Sequence, residues 1–254
     1  MSQFSQTLKS WRKARRLSQL DLALAADVSS RHISFLETGR SGPSPDMIRR
    51  LGDALEMPLS ARNQMLTGAG YAPRHQARDW EADDMAPIRA AVDHMLTSHA
   101  PWPAIAVDRY WTMLRLNAPA RVLFGQFGLA EGGSLLDLLM SETLPAVAEN
   151  WPDVAHHAAH RLRTESAAHG GVPELDRVVE HLSRVPGASS EPPGPVVPTI
   201  LNANGMRLSL FSTIAQFGTP EDLLLDDMKI ELFFPADAES GAILKTFAEN
   251  ATEA

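Results

Sequence analysis

One segment of the chain, LSQLDLALAADVSSRHISFLETGRSGPS, concentrates side chains that can hydrogen-bond to nucleic acid. Ser29, Ser30, Arg31 and Ser34 cluster at the start of what the spacing predicts to be a helix. Arg31 is the best candidate for reading a base, because a guanidinium can bond to O6 and N7 of guanine together. A contact between Arg31 and a phosphate is an alternative of equal weight. His32 could touch DNA, although an exposed position beside the interface is favoured.

Further basic residues surround this segment. They are Lys9, Arg12, Lys13, Arg16 and Arg40, and we expect them to hold phosphates or to lie solvated on the surface. Residues 1–78 contain 12 Lys+Arg against 6 Asp+Glu, whereas the rest of the chain contains 11 against 25, for a net charge of −8. This asymmetry predicts one domain that meets phosphates and another that does not.

Two crossed helices must position the polar cluster. A helix-turn-helix needs a small residue where its helices touch, which Ala23 supplies, and a turn residue that tolerates the left-handed region, which Asp27 supplies. Val28, Ile33 and Leu36 form the stripe that the second helix must bury. An ordinary helical hairpin is the alternative, and the coincidence of these features favours the DNA-binding motif.

Capping residues mark the ends of five predicted helices. Ser18 is expected to cap the second helix, Ser29 the third and Ser60 the fifth, which runs to about Thr67. Gly39 is expected to end the third. Pro43 and Pro45 frame the start of the fourth helix.

The rest of the chain changes character after a polar, aperiodic stretch. We predict a DNA-binding domain over residues 1–72, a linker and connecting helix over 73–100 and a second domain over 101–254. The connecting helix should run from about Met85 to His99, with Ile88, Ala91, Val92, Met95 and Leu96 as its apolar stripe. Strand-like segments PAIAVDRYWTMLRLN, MRLSLFSTIAQFG and MKIELFFP flank helical segments at about 118–128, 144–168 and 173–184, with an irregular tract over 186–198. Strands, helices and strands again predict an α+β domain whose sheet is assembled from both ends.

An apolar cavity is the site that we consider for this second domain. Its candidate lining residues are Trp102, Trp111, Leu114, Leu116, Phe124, Phe127, Leu139, Trp151, Leu210 and Ile214. A filled core is the favoured alternative for each residue taken singly. Arg115 could anchor a ligand carboxylate, although an outward, solvated side chain is favoured, and Asn117 is expected to cap the following helix.

The composition and the missing motifs argue against several classes of function. The 254 residues include no cysteine, which excludes disulfides, thiolate metal sites and cysteine nucleophiles. His156 and His160 lie at i, i+4 beside His157, but no carboxylate partner completes a site, so no metal is expected. Phosphate-binding, nucleophile-elbow and dinucleotide motifs are missing, so the chain is not expected to be an enzyme. Neither a signal peptide nor an 18-residue apolar run is seen, which predicts a cytoplasmic, nucleoid-associated protein without a membrane partner.

Residues 5–70 resemble the Xre-type, lambda-repressor-like helix-turn-helix domain, an all-α fold of five helices. The resemblance implies that Gln19 contacts DNA near the phosphate backbone and that Ser29, Ser30, Arg31 and Ser34 occupy contact positions of the recognition helix. The family usually has glycine where this chain has Asp27. Leu20 and Leu24 occupy positions that are usually polar, which suggests packing against a second domain or a dimer mate, with stray surface leucines as the alternative.

Further segments, SRHISFLETGRSGPS, RNQMLTGAGYAP, WPAIAVDRYWTMLRLNAPARVLFGQF and ELFFPAD, resemble the MmyB-like regulators. The resemblance implies a PAS-like ligand-binding domain, for which a fatty-acyl ligand has been proposed, and a homodimer on an operator of double-stranded DNA with two half-sites. No cofactor is firmly implied beyond a bound fatty acid or similar apolar ligand. The alternative function is an antitoxin-like or anti-regulator protein whose C-terminal domain binds a protein partner. A filled core would favour that alternative, and a cavity would favour the sensor.

Overall fold

Capping interactions between near neighbours determine where the helices of the N-terminal region begin and end. The structure is a computed structural model that describes residues 2–187, 195–203, 205–218 and 222–250. The first five helices are α1 (Gln3–Ala14), α2 (Gln19–Ala25), α3 (Ser30–Thr38), α4 (Pro45–Ala54) and α5 (Leu59–Gly68). Ser18 and Asp21 form a reciprocal capping box at α2, and the Ser29 hydroxyl accepts from the His32 backbone N–H at α3. Gly39 ends α3 with φ of 73°, in the left-handed region. These helix ends confirm the sequence predictions.

The start of α5 is a correction. Pro58 occupies the N-cap position and makes no side-chain capping hydrogen bond, so the helix begins one residue before Ser60. The Ser60 hydroxyl is buried and has no hydrogen-bond partner within the described part of the chain. A proline fits here because its fixed φ suits the extended conformation of an N-cap residue.

The chain divides into two compact units. The first contains residues 1–77, 165–172 and 220–226, and the second contains 78–164, 173–219 and 227–254. The core of the first unit consists of apolar side chains from all five helices, among them Leu8, Leu22, Ile33, Leu51 and Met65. The domain boundaries drawn from the sequence remain a prediction.

One glycine of the first unit allows the backbone to lie close to a tryptophan ring. Gly170 has φ of +79°, and a Cβ at that position would lie 2.8 Å from the Trp11 ring. Both the backbone conformation and the contact therefore require glycine.

The second unit combines helices with one antiparallel sheet. Its helices are α6 (Ala86–Ser98), α7 (Ala118–Gly125), α8 (Leu135–Met140), α9 (Thr143–Val147), α10 (Trp151–Ala168, whose last residues belong to the first unit), α11 (Pro173–Leu182) and α13 (Ala238–Asn250), while α12 (Leu223–Asp227) spans the boundary of the units. A 3-10 turn, Asp83–Met85, precedes α6. The strands are β1 (Ala104–Val107), β2 (Met113–Leu116), β3 (Thr199–Ala203), β4 (Met206–Ala215) and β5 (Lys229–Pro235). A run of helices between the first two strands and the last three of one antiparallel sheet confirms the predicted α+β class.

The sheet has the order β2-β1-β5-β4-β3, so the last strand in sequence lies in the middle. β1 pairs with β5 in the register Ala104↔Leu232 to Val107↔Lys229, and β5 pairs with β4 on its other side. Every residue of β1 is buried. Assembly of the sheet from both ends of the domain is confirmed, and its order fits the PAS-like fold expected from the resemblance.

Some predicted details differ. The sequence predictions did not include α8, α12, β3 or α13. Ala91 and Met95, which were expected in the apolar stripe of α6, are exposed, Met95 by 37%. Val92 and Leu96 alone form the fully buried part of that stripe. The predicted irregular tract over 186–198 includes residues 188–194, which lie outside the described residues.

The caps predicted for the second domain include Asn117, which is buried. Its Oδ1 accepts from the backbone N–H of Ala120 at 3.0 Å and from that of Ala104 at 3.0 Å. Its Nδ2 donates to the carbonyls of Leu96 and Trp102. The predicted cap is confirmed, and the same side chain ties α6 and β1 to α7.

Candidate DNA-contacting helix and ligand cavity

The turn between α2 and α3 has the geometry that its sequence predicts. Asp27 has φ of 53°, in the left-handed region, and Ala23 is 1% exposed where the helices cross. The Arg50 guanidinium donates to the carbonyls of Ala26 and Asp27 and forms an ion pair with the Asp27 carboxylate at 3.0 Å. These contacts from α4 hold the turn from outside the motif.

The polar cluster lies on the outer side of α3. Ser29, Ser30 and Arg31 are exposed, while His32 and Ser34 are half-buried. Ile33 and Leu36 face the core with no exposed surface. The structure therefore brings together the predicted contact residues of this helix on one polar surface, and their role in binding DNA remains a prediction.

Arg31 has a contact of its own. Its guanidinium carbon lies 5.2 Å from the centre of the Phe35 ring, one helical turn along α3. A cation over an aromatic ring gains a modest electrostatic attraction. The ring therefore helps to hold the Arg31 side chain along the exposed face of the helix.

A buried ion pair lies behind this surface. Arg12 donates through Nε and Nη2 to the two carboxylate oxygens of Glu37, at 2.6 and 2.9 Å, and through Nη1 to the Leu17 carbonyl at 2.8 Å. The Gln19 amide nitrogen donates to the same carboxylate at 2.8 Å. Because its three nitrogens are used inside the protein, Arg12 positions α1 against α3 rather than offering a free cation to a phosphate.

The electrostatics of this pair match its geometry. Burial alone would raise the pKa of Glu37, but hydrogen bonds from Arg12 and Gln19 and the positive charges of Arg12 and Lys9 outweigh it and hold that pKa below its usual range. The hydrogen bond to Glu37 likewise raises the pKa of Arg12. Glu37 is a residue that the sequence analysis missed.

The other predicted phosphate-binding residues are Lys9, Lys13, Arg16 and Arg40, all exposed. Within the described ranges none of them forms a salt bridge. They differ in this respect from Arg12, and they remain candidates for phosphate contacts.

A cavity of about 330 Å³ lies within the second unit, between the sheet and the helices α7, α8 and α10. Five of the predicted lining residues meet there: Trp111, Phe124, Phe127, Leu139 and Leu210. Most of the remaining wall is apolar and had not been singled out, including Leu123, Leu135, Leu138, Val154, Ala158, Leu162 and Phe233. The cavity is therefore a largely apolar space with few polar groups.

The other six predicted residues do not line this cavity: Trp102, Leu114, Arg115, Leu116, Trp151 and Ile214. Ile214 is 43% exposed near the end of β4, and Trp102 precedes β1 close to Gly241. Strand alternation does not explain the result at β2, because Leu114, Arg115 and Leu116 all lie outside the cavity although neighbouring residues point to opposite faces of the sheet.

Arg115 is not in a position to anchor a ligand carboxylate in this cavity. Its guanidinium lies near three carboxylates, with Glu81 at 2.8 Å, Glu131 at 3.7 Å and Asp93 at 3.9 Å. It borders a separate polar hollow of about 400 Å³, which Leu116 also lines. The nearby negative charges would repel a further carboxylate.

The charged groups on the cavity wall are Arg161 and Glu231. Arg161 Nη1 donates to Glu231 Oε1 at 2.9 Å, and the Ser212 hydroxyl donates to the same oxygen at 2.6 Å. His157, one turn before Arg161 on α10, has its pKa lowered by burial and by the neighbouring charges of Arg161 and His160. The neutral form of His157 is therefore favoured at neutral pH.

Trp111 links this polar corner to the apolar wall. It is 5% exposed and has φ of 61°, which is a strained conformation for a bulky residue. The Asp108 carboxylate holds the turn by accepting from the backbone N–H groups of Tyr110 and Thr112, at 2.8 and 2.9 Å. The Arg161 guanidinium carbon lies 4.3 Å from the centre of the Trp111 ring.

A usable signal for Arg161 was present in the sequence. Val154, Ala158 and Leu162 recur at helical spacing along α10, and Arg161 falls beside this apolar stripe. Its partner Glu231 alternates with the apolar residues of β5. No sequence pattern, however, pairs residues 70 positions apart.

Two other kinds of feature are absent from the described residues. They contain no group of three or more His, Asp or Glu side chains arranged to hold a metal ion, and His156, His157 and His160 form no such group. They also contain no helix whose length and apolar character would let it cross a bilayer.

Comparison with known families gives two matches. Residues 88–247 match the model of the MmyB-like transcription regulator ligand binding domain, and residues 3–65 match a helix-turn-helix domain model. The first match covers the cavity and the second covers α1 to α4 completely.

Comparison with curated proteins finds similarity to two proteins of Bacillus subtilis (strain 168). The chain is 36% identical over 72 residues to the uncharacterized HTH-type transcriptional regulator RghRB, covering 28% of this chain and 50% of that protein. It is 35% identical over 80 residues to the HTH-type transcriptional repressor RghR, covering 31% of this chain and 57% of that protein. The chain thus spans about half the length of the curated relatives that it matches.

Proposed function

This chain belongs to the MmyB-like transcription regulators, with a helix-turn-helix DNA-binding domain and a ligand-binding domain, and from that premise we propose how it works. Helix α3 reads operator DNA as part of a homodimer. The cavity of the second unit binds a small apolar or fatty-acyl ligand, and ligand binding changes the affinity for DNA.

The DNA half of the proposal is carried by the exposed polar face of α3. Ser30 and Arg31 lie on the first turn of the helix, the part of a recognition helix that reaches base edges. Exposed Lys13 and Arg40 add cations that can hold phosphates on either side. Since one such helix touches few base pairs, we expect a homodimer on two half-sites about one helical turn apart.

The DNA experiment begins with operator selection from a random duplex library and continues with fluorescence anisotropy on the selected site. We expect Arg31→Ala to abolish operator binding at the protein concentrations that saturate the wild type. Arg49→Ala, an exposed arginine on α4 that is paired with Asp46 and Asp53, is the matched control and should bind as the wild type does. Unchanged affinity of Arg31→Ala would contradict the assignment of α3.

Salt dependence tests the same surface. Cations that neutralise phosphates release counterions, so affinity should fall steeply as salt is raised. A flat response would contradict the phosphate contacts. The dimer itself is tested by the mass of the protein in native mass spectrometry, with and without operator.

The ligand half of the proposal is carried by the cavity itself. Its volume of about 330 Å³ lies within the range of small-molecule sites, roughly 300–1,000 Å³, and its wall is mainly apolar. Filled cores do not leave a space of this size among leucine and phenylalanine side chains. The cavity supports a sensor over the alternative of an antitoxin-like protein.

Native mass spectrometry, followed by denaturing extraction, tests whether a ligand of this kind co-purifies. A cavity-filling variant provides the control for position. Ala158→Phe places a ring into the cavity and should abolish ligand retention, whereas Ala167→Phe, at an exposed position of the same helix, should not. Equal retention in both variants would place the ligand elsewhere.

A further inference from the structure

Part of strand β4 forms an open edge of the sheet. β3 pairs with β4 only as far as Leu210, whereas β5 pairs with β4 as far as Ala215. Residues 211–215, which we call the open edge, therefore have a neighbouring strand on one side only. Within the described part of the chain, no backbone hydrogen bond reaches the open edge from the other side.

One hydrogen bond shows which backbone groups face outward. The carbonyl of Ser209 accepts from the N–H of Ala236 at 2.9 Å, just after the end of β5, so the N–H and C=O of Ser209 face β5. In an antiparallel strand, successive residues direct these groups to opposite sides. Ser212 and Ile214 therefore present their N–H and C=O groups at the open edge.

Other edge positions of the same sheet are covered. Met113 of β2 exchanges backbone hydrogen bonds with residues 132–133, at 2.7 and 2.9 Å. Ile200 of β3 bonds to residues 149–150 through both its N–H and its carbonyl. Phe233, which extends past the end of β1, donates to a loop carbonyl at 3.0 Å. Because an uncovered edge is a template for another strand, the open edge is where this sheet can be extended.

The side chains near the open edge suit a neighbouring strand. Residues 208–218, LSLFSTIAQFG, contain no charged residue and no proline, the residues that usually protect an edge from pairing. Residues 213–216 are all exposed, Ile214 by 43%. Val196, which lines the cavity together with Phe211, is 48% exposed. Exposed apolar side chains thus accompany the unpaired backbone groups.

We propose that the open edge pairs with the open edge of a second copy of the chain, so that two sheets join across a two-fold axis. Antiparallel overlap of residues 211–215 places this axis at Thr213 and sets Ser212 opposite the partner's Ile214. The outward groups then form about four hydrogen bonds between the two copies. This inference rests on the homodimer of the proposed function and names the surface that forms it.

A second copy is the occupant that the chemistry of the open edge favours. Self-pairing sets each side chain opposite one from the same uncharged segment, so no like charges meet across the contact. An isologous contact of this kind also has the two-fold symmetry that binding to two half-sites requires. The paired strands span only about 17 Å. We therefore expect a dimer that dissociates on dilution and that operator DNA stabilises.

Charges introduced at Thr213 test the pairing. On the proposed axis Thr213 lies opposite its own copy in a non-hydrogen-bonded pair, where side chains of an antiparallel pair come closest. Thr213→Lys and Thr213→Glu each place like charges opposite one another, and each should weaken dimerisation about tenfold or more. Sedimentation of the full-length proteins measures the dissociation constant of the dimer.

Mixing the two variants sharpens the test. Thr213→Lys and Thr213→Glu in equal amounts should form heterodimers, because the charges that meet are then opposite. Labelling one variant with heavy nitrogen lets native mass spectrometry distinguish the heterodimer from both homodimers. Recovery of dimers in the mixture also shows that the variants are folded.

Two further variants serve as controls. Thr97→Lys adds the same charge at an exposed position of α6 and should dimerise as the wild type does. Ile214→Pro removes an outward N–H that makes no bond within the sheet, and it should weaken dimerisation without adding a charge. Circular dichroism compares the folding of each variant with that of the wild type.

The outcomes separate the open edge from the homodimer itself. A wild type that is monomeric both alone and on operator DNA overturns the proposed homodimer together with this inference. A wild-type dimer that persists in Thr213→Lys and in Thr213→Glu overturns the pairing of the open edge and leaves the homodimer standing at another surface. Monomers in the mixture as well as in each variant alone overturn the antiparallel pairing centred on Thr213.

Discussion

Each compact unit of this regulator contains a buried arginine–glutamate pair, and the two pairs differ in what they leave free. In the first unit, Arg12 and Glu37 have side chains that are 11% and 3% exposed, and the donor nitrogens of Arg12 all find partners. In the second unit, Arg161 and Glu231 are 24% and 6% exposed, and Nε and Nη2 of Arg161 find none within the described residues.

The difference separates two uses of the same chemistry. A buried pair whose hydrogen bonds are all satisfied fixes the geometry of its surroundings, because breaking it leaves an uncompensated charge. The Arg12 pair thereby joins α1 to the recognition helix. The Arg161 pair leaves Nε and Nη2 without partners among the described residues, so it fixes its surroundings less completely.

Neutralising Glu37 should have the largest effect on stability. Glu37→Gln leaves Arg12 buried without its counter-ion, and we expect the first unit to lose about 3–5 kcal/mol of its free energy of unfolding. Hydrogen exchange of the amides in α1 and α3 measures this loss within the unit. Lys13→Met, at an exposed position, is the control and should change stability by less than about 0.5 kcal/mol.

The corresponding substitution in the second unit, Glu231→Gln, should lower the free energy of unfolding by less. Glu231→Gln keeps a carbonyl oxygen that can accept from Arg161, and the more exposed guanidinium has a free edge with which to adjust. We expect a loss of about 1–3 kcal/mol, measured by hydrogen exchange in β4 and β5. A loss as large as that for Glu37→Gln would show that the two pairs are alike, against the comparison drawn above.

Acid should weaken the first unit through Glu37. The pKa of Glu37 is lowered on folding, so its stabilising contribution is present above the unfolded value of about 4.3 and is lost as the pH falls through the lower folded pKa. Urea unfolding at neutral pH and at about pH 3 measures how the free energy of unfolding depends on pH as a whole. The part due to Glu37 should be missing in Glu37→Gln, and an identical pH dependence in that variant would contradict the assignment.

A smaller effect is expected from Ser212. Ser212→Ala removes one of the two hydrogen bonds to Glu231 Oε1, while Arg161 continues to donate to that oxygen. A net loss of about 0.5–1.5 kcal/mol follows from one missing hydrogen bond. Urea unfolding of the wild type and of Ser212→Ala measures this loss, and a loss above about 3 kcal/mol would mean that the hydroxyl contributes more than one ordinary hydrogen bond.

Much of the DNA-contacting region could be predicted from the sequence. The capping of α2 and α3 by Ser18 and Ser29, the left-handed Asp27 and the end of α3 at Gly39 depend on residues within a few positions of one another. Helical periodicity also identified the buried face of α3. The start of α5 differed, because proline at an N-cap offers no side-chain hydrogen bond by which to recognise it. Arg12 differed as well, because its partner Glu37 lies 25 positions away on another helix.

The cavity could be predicted only in outline. The sequence identified apolar lining residues such as Trp111, Phe124 and Leu210. A residue of a strand or helix lines the cavity, however, only if its side chain lies on the face of that element that borders the cavity. The order β2-β1-β5-β4-β3 decides this, because it brings β5 from near the C-terminal end of the chain next to β1.

The sequence by itself determined the helix-turn-helix, its polar face and the α+β class of the second domain, because these follow from periodicity and from contacts between near neighbours. The tertiary structure decided which arginine faces the cavity. Arg115 lies among carboxylates, whereas Arg161 meets a glutamate 70 positions away on the central strand. Such a pairing depends on how distant elements pack, and local sequence carries no information about it.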